Sequence, residues 1–323
     1  MPSATPNCFH LPHDSASRSR AKDTHCCAMA TSEASSSRQV LQEDEEQRDA
    51  AWLASLDAVY RLIEDEEVAR RYPQLSRRIA DAVKLTEEAV QEIGLPRISL
   101  SFNGGKDCKT NLRGSARQEF LTNCEFSYTG TVIAHILAAV LRRTARGTTQ
   151  LSISISVPAT RAVYITCDSP FIEVERFIAA SLPRYNLRIR SVDGNMKQGL
   201  EQYLDGGGRH FESPSRKASR SRPCEETEAD GDSGKGITAI FIGTRSTDPN
   251  GGSVGKRAWT DAGWPQVERI HPILDWTYQD VWSFLRCPLL AYQPPTRLTK
   301  EQREEEGCAQ TPGIPYCLLY DLG

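Results

Sequence analysis

The absences in this 323-residue sequence narrow it first. Its ten cysteines form no C-x-x-C pair, which argues against zinc ribbons and leaves reduced thiols as the expectation in an intracellular enzyme. No apolar run approaches the ~20 residues needed to cross a bilayer, so no membrane partner is expected. Neither sign of charge dominates, and a net charge of −3 gives no broad electrostatic case for nucleic acid. The Walker A pattern G-x-x-x-x-G-K-[ST] is missing. What remains is 39% hydrophobic and 25% charged, the balance of a globular core with polar appendages.

Of the segments present, Arg97–Cys108 (RISLSFNGGKDC) says most. Ile98 and Leu100 read as buried strand positions, after which the chain turns on Gly104 and Gly105, which take positive φ without steric cost. Amides at such a turn, backed by a helix N-terminus, suit phosphates. Lys106 adds a point charge, and Asp107 can cap the helix or help hold a magnesium ion. An ordinary strand-turn-helix corner is the plain alternative.

Strand and helix patterns alternate along the chain. Residues 1–48 are Ser-, Ala- and charge-rich without a period and read as a disordered tail; Asp14 and Asp23 interrupt what Arg18, Arg20 and Lys22 offer towards a presequence. Trp52, Leu56, Val59, Leu62 and Ile63 predict a helix over Asp49–Arg71. Pro73 ends that run, and a second helix covers Leu75–Ile93, closed by Gly94. Helices are also expected over Thr131–Leu141, Phe171–Leu182 and Asn195–Leu204. Strands are expected in Ala162–Phe171, Leu187–Val192 and Ala239–Pro249. His135 reads as a helix-face residue rather than a ligand. The alternation predicts an α/β fold with a doubly wound, mostly parallel sheet flanked by helices. In such sheets ligands bind beyond the carboxyl ends of strands, where the phosphate loop, Asp168 and Arg245 all fall.

Taken in order, Ser101–Cys108, Ala162–Phe171, Ala239–Pro249, Ile270–Leu285 and Pro315–Gly323 resemble the eukaryotic FAD synthases, or FMN adenylyltransferases. These are ATP pyrophosphatases of the PAPS reductase-like group, whose loop reads S-x-G-G-K-D and whose fold is adenine nucleotide alpha hydrolase-like. The resemblance runs from about Ala80 to Gly323. It is to the single-domain fungal type, because Asn103 stands where the mammalian type has a small residue. A PAPS reductase would need a nucleophilic cysteine in a C-terminal motif that Cys317 does not supply. A tRNA-modifying ligase would be expected to show paired cysteines or a basic surface.

The resemblance implies ATP and FMN as substrates, with Mg²⁺, in a cytoplasmic monomer that needs neither nucleic acid nor membrane. Ser101, Asn103, Gly104, Gly105 and Lys106 would bind the β,γ-phosphates, Asp107 would hold the loop or metal-bound waters, and Asn103 could reach the α-phosphate. The strand end Tyr164–Thr166 would face adenine, and Thr244, Arg245 and Asp248 would form the opposite wall. On the flavin side Trp264 is the first candidate. Asp275 and Trp276 are further candidates, although Asp275 can equally be a helix N-cap. Trp282, with Val281 and Leu285, has the spacing of a core residue.

Residues 49–323 are expected to form one domain interrupted at 109–130, 205–236 and 287–313. The first interruption falls inside the phosphate motif, where the family would run from Cys108 directly to Thr131. Cys108-Lys109 can be encoded TGT-AAG, containing the splice donor GTAAG. Leu121-Thr122-Asn123 can be CTG-ACT-AAC, a branch-point-like string, and Thr129-Gly130 can be ACA-GGC, ending an intron in CAG. The 22 residues therefore read as a translated intron, with a lineage-specific loop as the alternative. Such an insertion separates the phosphate loop from its helix, so a non-catalytic product is a rival expectation. The family motif begun by Tyr316–Gly323 continues into a tail with ligand-contacting arginines, so the chain is also expected to be truncated.

Overall fold

The computed structural model describes residues 49–103, 127–148, 157–166, 170–211, 233–248, 251–292 and 313–317. The expected tail 1–48, Gly104–Asp107, Asp168 and most of the three interruptions lie outside them.

The N-terminal helical run divides where the sequence predicts continuity. Helix α1 occupies residues 49–64 and turns Trp52, Leu56, Val59 and Leu62 into the core. Asp65 then breaks it by capping α2 (Glu66–Arg71), accepting from the amides of Glu67 and Val68. Pro73 opens α3 (Pro73–Ile93), where a missing N–H costs nothing, and Gly94 ends it at φ 82°. After β1 (Ile98–Ser101), α4 spans Ser127–Thr148. It therefore starts four residues before the expected Thr131, inside the segment read as an insertion. Tyr128 and Thr129 are buried there, and that burial is what carries the helix back.

Next come β2 (Thr160–Thr166), α5 (Ile172–Tyr185), β3 (Leu187–Asp193) and α6 (Met196–Leu204). Helix α5 continues three residues past the expected Leu182, through Pro183, and ends on Asn186 in the left-handed conformation, φ 48°. Asn195 caps α6 through its side chain. The chain closes with β4 (Arg209–His210), β5 (Ala239–Phe241), β6 (Arg257–Trp259), β7 (Glu268–Ile270) and α7 (Tyr278–Leu285). Patterning did not reveal β4, β6 or β7. They hold two or three residues each, and Arg257 in β6 spends its guanidinium on Glu268 and Glu92.

These strands form one sheet in the order β4-β3-β2-β1-β5-β7-β6. The β3-β2-β1-β5-β7 pairings are parallel, and β4 and β6 are antiparallel edges. This is the predicted doubly wound, mostly parallel architecture. In its central strands β1, β2 and β5 nearly every side chain is buried because both faces of the sheet are covered there. Along β2, Ala162 and Tyr164 join the larger core with α1, α3, α4, α5 and α7, whereas Val163 and Ile165 join the smaller one with Leu200 and Tyr203 of α6. Ser99 faces that smaller side, and its hydroxyl lies 2.8 Å from that of Tyr203. His135 is fully buried beside Trp52, Tyr185 and Phe284, a packing residue as expected. Among the described residues no helix is long and apolar enough to cross a membrane.

Candidate active site

The strand order reverses at β1. The chain builds outward through β2 and β3, then returns to the other side of β1 with β5. At such a reversal an open parallel sheet leaves a crevice beyond the carboxyl ends of its strands. Ser101, Phe102 and Asn103 lie on one side of it, and the turn after Phe241 lies on the other.

On the β1 side, the Phe102 amide donates to the Val163 carbonyl at 3.0 Å. The Ile165 amide then donates to Oδ1 of Asn103 at 3.2 Å. Ser101, Asn103 and Thr166 are half-buried, while Tyr164 is buried. On the β5 side, Thr244 is half-buried and Arg245 and Asp248 are buried as a pair. The Asp248 carboxylate accepts from the Arg245 main-chain amide and from its Nε and Nη2. The Ser246 amide donates to the Leu274 carbonyl at 2.7 Å, which anchors this turn to the chain beyond β7.

The first turn of α4 closes the crevice. A Cβ on Gly243 would stand 2.5 Å from Oγ1 of Thr129, so only glycine allows this approach. A Cβ on Gly130 would meet Phe102 at an ordinary 3.8 Å. The Tyr128 ring lies 5.9 Å from the Arg245 guanidinium and packs against Tyr278 and Trp282. The N-terminus of a 22-residue helix therefore faces the strand reversal, where its partial positive charge favours anions.

Beside this turn, a cleft of about 610 Å³ opens between the start of α3 and α7, lined by Tyr72, Gln74, Tyr278, Trp282, Arg286 and Cys287. Asp280 spans the two helices and is buried, accepting from Thr277, Gln74 and Arg78. Burial alone would raise its pKa, but the hydrogen bonds from Thr277 and Gln74 and the charge of Arg78 hold it below the ordinary carboxylate range. Burial raises the Cys287 thiol.

The flavin-side candidates do not converge. Trp264 is half-buried and packs on the smaller core. Trp276 is only 2% exposed and meets Phe284 edge to face in the larger core. Asp275 forms a half-exposed pair with Lys256 at 2.9 Å. The N-cap of α7 is Thr277, not Asp275, in a reciprocal capping box with Asp280. Sequence reasoning missed the Asn103–Ile165 link, the packing of Tyr128 and the bridge at Asp280. The T-x-x-D spacing at Thr277–Asp280 was a signal for the cap of α7, though not for the bridge from Asp280 to α3.

Among the described residues no three His, Cys, Asp or Glu side chains group as a metal site. The Asp248 carboxylate is already spent on Arg245. The expected metal candidate, Asp107, lies outside the described residues.

A family model for the phosphoadenosine phosphosulfate reductase domain matches residues 123–313, more than half of the chain. The chain belongs to this family. It is 28% identical over 253 residues to a probable FAD synthase of Caenorhabditis briggsae, covering 76% of this chain and 32% of that protein. It is 26% identical over 211 residues to a probable FAD synthase of Schizosaccharomyces pombe, covering 65% and 60%. The chain thus spans about a third of the nematode relative's length. Among solved structures it is similar to Candida glabrata FMN adenylyltransferase in complex with FMN and the ATP analogue AMPCPP, with a TM-score of 0.46 and 21% identity over 73% of this chain and 64% of that one.

Proposed function

We propose that this chain is the catalytic domain of an FMN adenylyltransferase, which transfers AMP from ATP to the phosphate of FMN and releases pyrophosphate. The observation that carries the reading is the meeting of Ser101–Asn103, Thr166 and Thr244–Asp248 around one crevice at the strand reversal. Similarity to FAD synthases over three quarters of the chain supports it.

In this reaction an oxygen of the FMN phosphate forms a bond to the α-phosphorus of ATP. The bond from that phosphorus to the β-bridging oxygen breaks, and the electron pair leaves with pyrophosphate. A phosphate monoester is largely ionised near neutral pH, so no dedicated general base is required. Positioning and offsetting charge at the leaving phosphates do the work. Ser101, Asn103 and Gly104–Lys106 hold those phosphates, with Asp107 steadying the loop. Tyr164–Thr166 border adenine, and Thr244, Arg245 and Asp248 form the far wall. Because Arg245 is paired with Asp248, its first role is to shape that wall. For the flavin side, Trp264 and Asp275 stay separate candidates, while Trp276 packs in the larger core. Magnesium enters with ATP, as the counter-ion of its phosphates. A cytoplasmic monomer, and a single domain over 49–323 with inserts at 109–130, 205–236 and 287–313, complete the reading.

One observation favours a second reading, a chain that binds nucleotide without turnover. Tyr128–Gly130, the last residues of the 22-residue insertion, occupy the mouth of the crevice, with Tyr128 against Arg245. FAD formation from ATP, Mg²⁺ and FMN, assayed for the full chain and for a form lacking Lys109–Gly130, decides between them. Turnover by both makes the insertion a tolerated loop. Turnover by the shortened form alone makes it an obstruction. Turnover by neither rejects the adenylyltransferase assignment for this chain.

A further inference from the structure

Asn103 follows directly on Phe102, whose amide makes the last regular hydrogen bond from β1 to β2, with Val163. The main-chain carbonyl that would continue this ladder is replaced by a side chain: the Ile165 amide donates to Oδ1 of Asn103 at 3.2 Å. That contact decides which way the Asn103 amide is turned. An N–H must meet an acceptor, so Oδ1 faces Ile165 and the two donors of Nδ2 face away from β2.

The far face of Ile165 is equally constrained. Helix α6 crosses it at Gly199, where a Cβ would come within 3.0 Å of the Ile165 side chain. The end of β2 is thus set on its face by a close helix crossing and in the plane of the sheet by one side-chain oxygen. The side chain is packed on that face, so an in-plane shift of the strand end requires this hydrogen bond to break.

We propose that Asn103 is a positioning residue whose side-chain oxygen fixes the nucleobase wall at Ile165–Thr166 to the phosphate side of the crevice, separately from the phosphate contact that the adenylyltransferase reading already gives its nitrogen. The inference rests on the adenylyltransferase reading for the identity of the ligand, but the clamp itself does not. The two halves of the side chain can be separated chemically. Asn103→Asp keeps an acceptor for the Ile165 amide and turns the donor side into a carboxylate oxygen, which repels phosphate. Asn103→Ala removes both functions.

The test combines hydrogen exchange at the Ile165 amide with separate titrations of adenosine and of inorganic pyrophosphate, using the full chain. Asn103→Ala is expected to speed Ile165 exchange about tenfold or more and to weaken both ligands. Asn103→Asp is expected to leave exchange slow and adenosine affinity within about twofold, while pyrophosphate weakens about tenfold or more, the scale of losing one charge-assisted hydrogen bond. Unchanged Ile165 exchange in Asn103→Ala overturns the clamp. Equal weakening of adenosine by Asn103→Asp and Asn103→Ala overturns the division of labour. If the unmodified chain binds neither ligand while exchange still follows the acceptor at 103, the adenylyltransferase reading falls and the clamp stands.

Discussion

Asp248 accepts three hydrogen bonds from a single residue, Arg245: one from its main-chain amide at 2.6 Å, and one each from Nε and Nη2 at 3.1 and 2.8 Å. The Asp248 amide donates back to the Arg245 carbonyl at 3.0 Å. The same two residues are therefore a tight turn and an ion pair, both with side chains almost wholly out of water. Asp248→Ala removes the carboxylate paired with a buried guanidinium and is expected to cost about 3–5 kcal/mol in chemical denaturation. Replacing both, with Arg245→Met and Asp248→Leu, is expected to recover much of that loss because no charge stays buried. ATP binding is expected not to recover, which separates the pair's part in stability from its part in the site.

The close crossing at Gly243 gives a local test of how α4 meets the crevice. Gly243→Ala places a methyl 2.5 Å from Oγ1 and 3.0 Å from the main-chain carbon of Thr129. The turn has to move, at a cost of about 1–3 kcal/mol for overpacking. Tyr128 moves with it, and through Tyr128 the Trp282 cluster, so tryptophan fluorescence is expected to change with the fall in thermal midpoint. A fall in midpoint without a spectral change would place the strain elsewhere.

Thr277 and Asp280 carry the third prediction. Thr277→Ala removes one cap of α7 and is expected to cost about 1 kcal/mol. Asp280→Ala removes the same box and also deserts Gln74 and Arg78 on α3, so it is expected to cost more than Thr277→Ala in the same urea titration. Equal costs would mean that the bridge to α3 contributes nothing beyond the cap.

The sequence was readable where a period or a punctuating residue had a local physical cause. Pro73, Gly94 and Asn195 mark helix ends through backbone chemistry that depends on near neighbours only, and the apolar runs of β1 and β2 follow from burial on both faces. Thr166, Thr244, Arg245 and Asp248 could be placed at strand ends for the same reason. Strands β6 and β7 were not visible, since three residues with charged and aromatic side chains carry no alternation. The link from Asn103 to Ile165 spans 62 positions, and the bridge from Asp280 to Gln74 spans 206. Contacts of that kind are decided by strand order and helix crossing, which a linear pattern does not encode. Tyr128 was hidden for a further reason: it sits in a segment that family resemblance sets aside, yet the helix it begins is packed like core.

Two histidines buried among the described residues, His135 and His271, make stability fall in mild acid. Burial, the larger cause in both, pushes His135 down to about 3, and burial with the Arg269 charge pushes His271 down to about 4. In the unfolded chain both return to about 6.5. Below pH 6.5 the unfolded state therefore binds protons that the folded state refuses, and stability declines as pH falls. Each histidine contributes a slope of up to about 1.4 kcal/mol per pH unit, His271 until about pH 4 and His135 until about pH 3. The depressed carboxyl of Asp280 acts in the same direction, but only below the ordinary carboxylate range. Between pH 6 and pH 4.5 the histidines thus act alone among these three groups. His135→Met removes one of the two sites while keeping an apolar filler against Trp52, Tyr185 and Phe284. Urea titrations across that interval are expected to show the pH slope falling by about half in His135→Met, whatever the variant does to stability at neutral pH. An unchanged slope would mean that His135 takes up its proton in the folded state as readily as in the unfolded one.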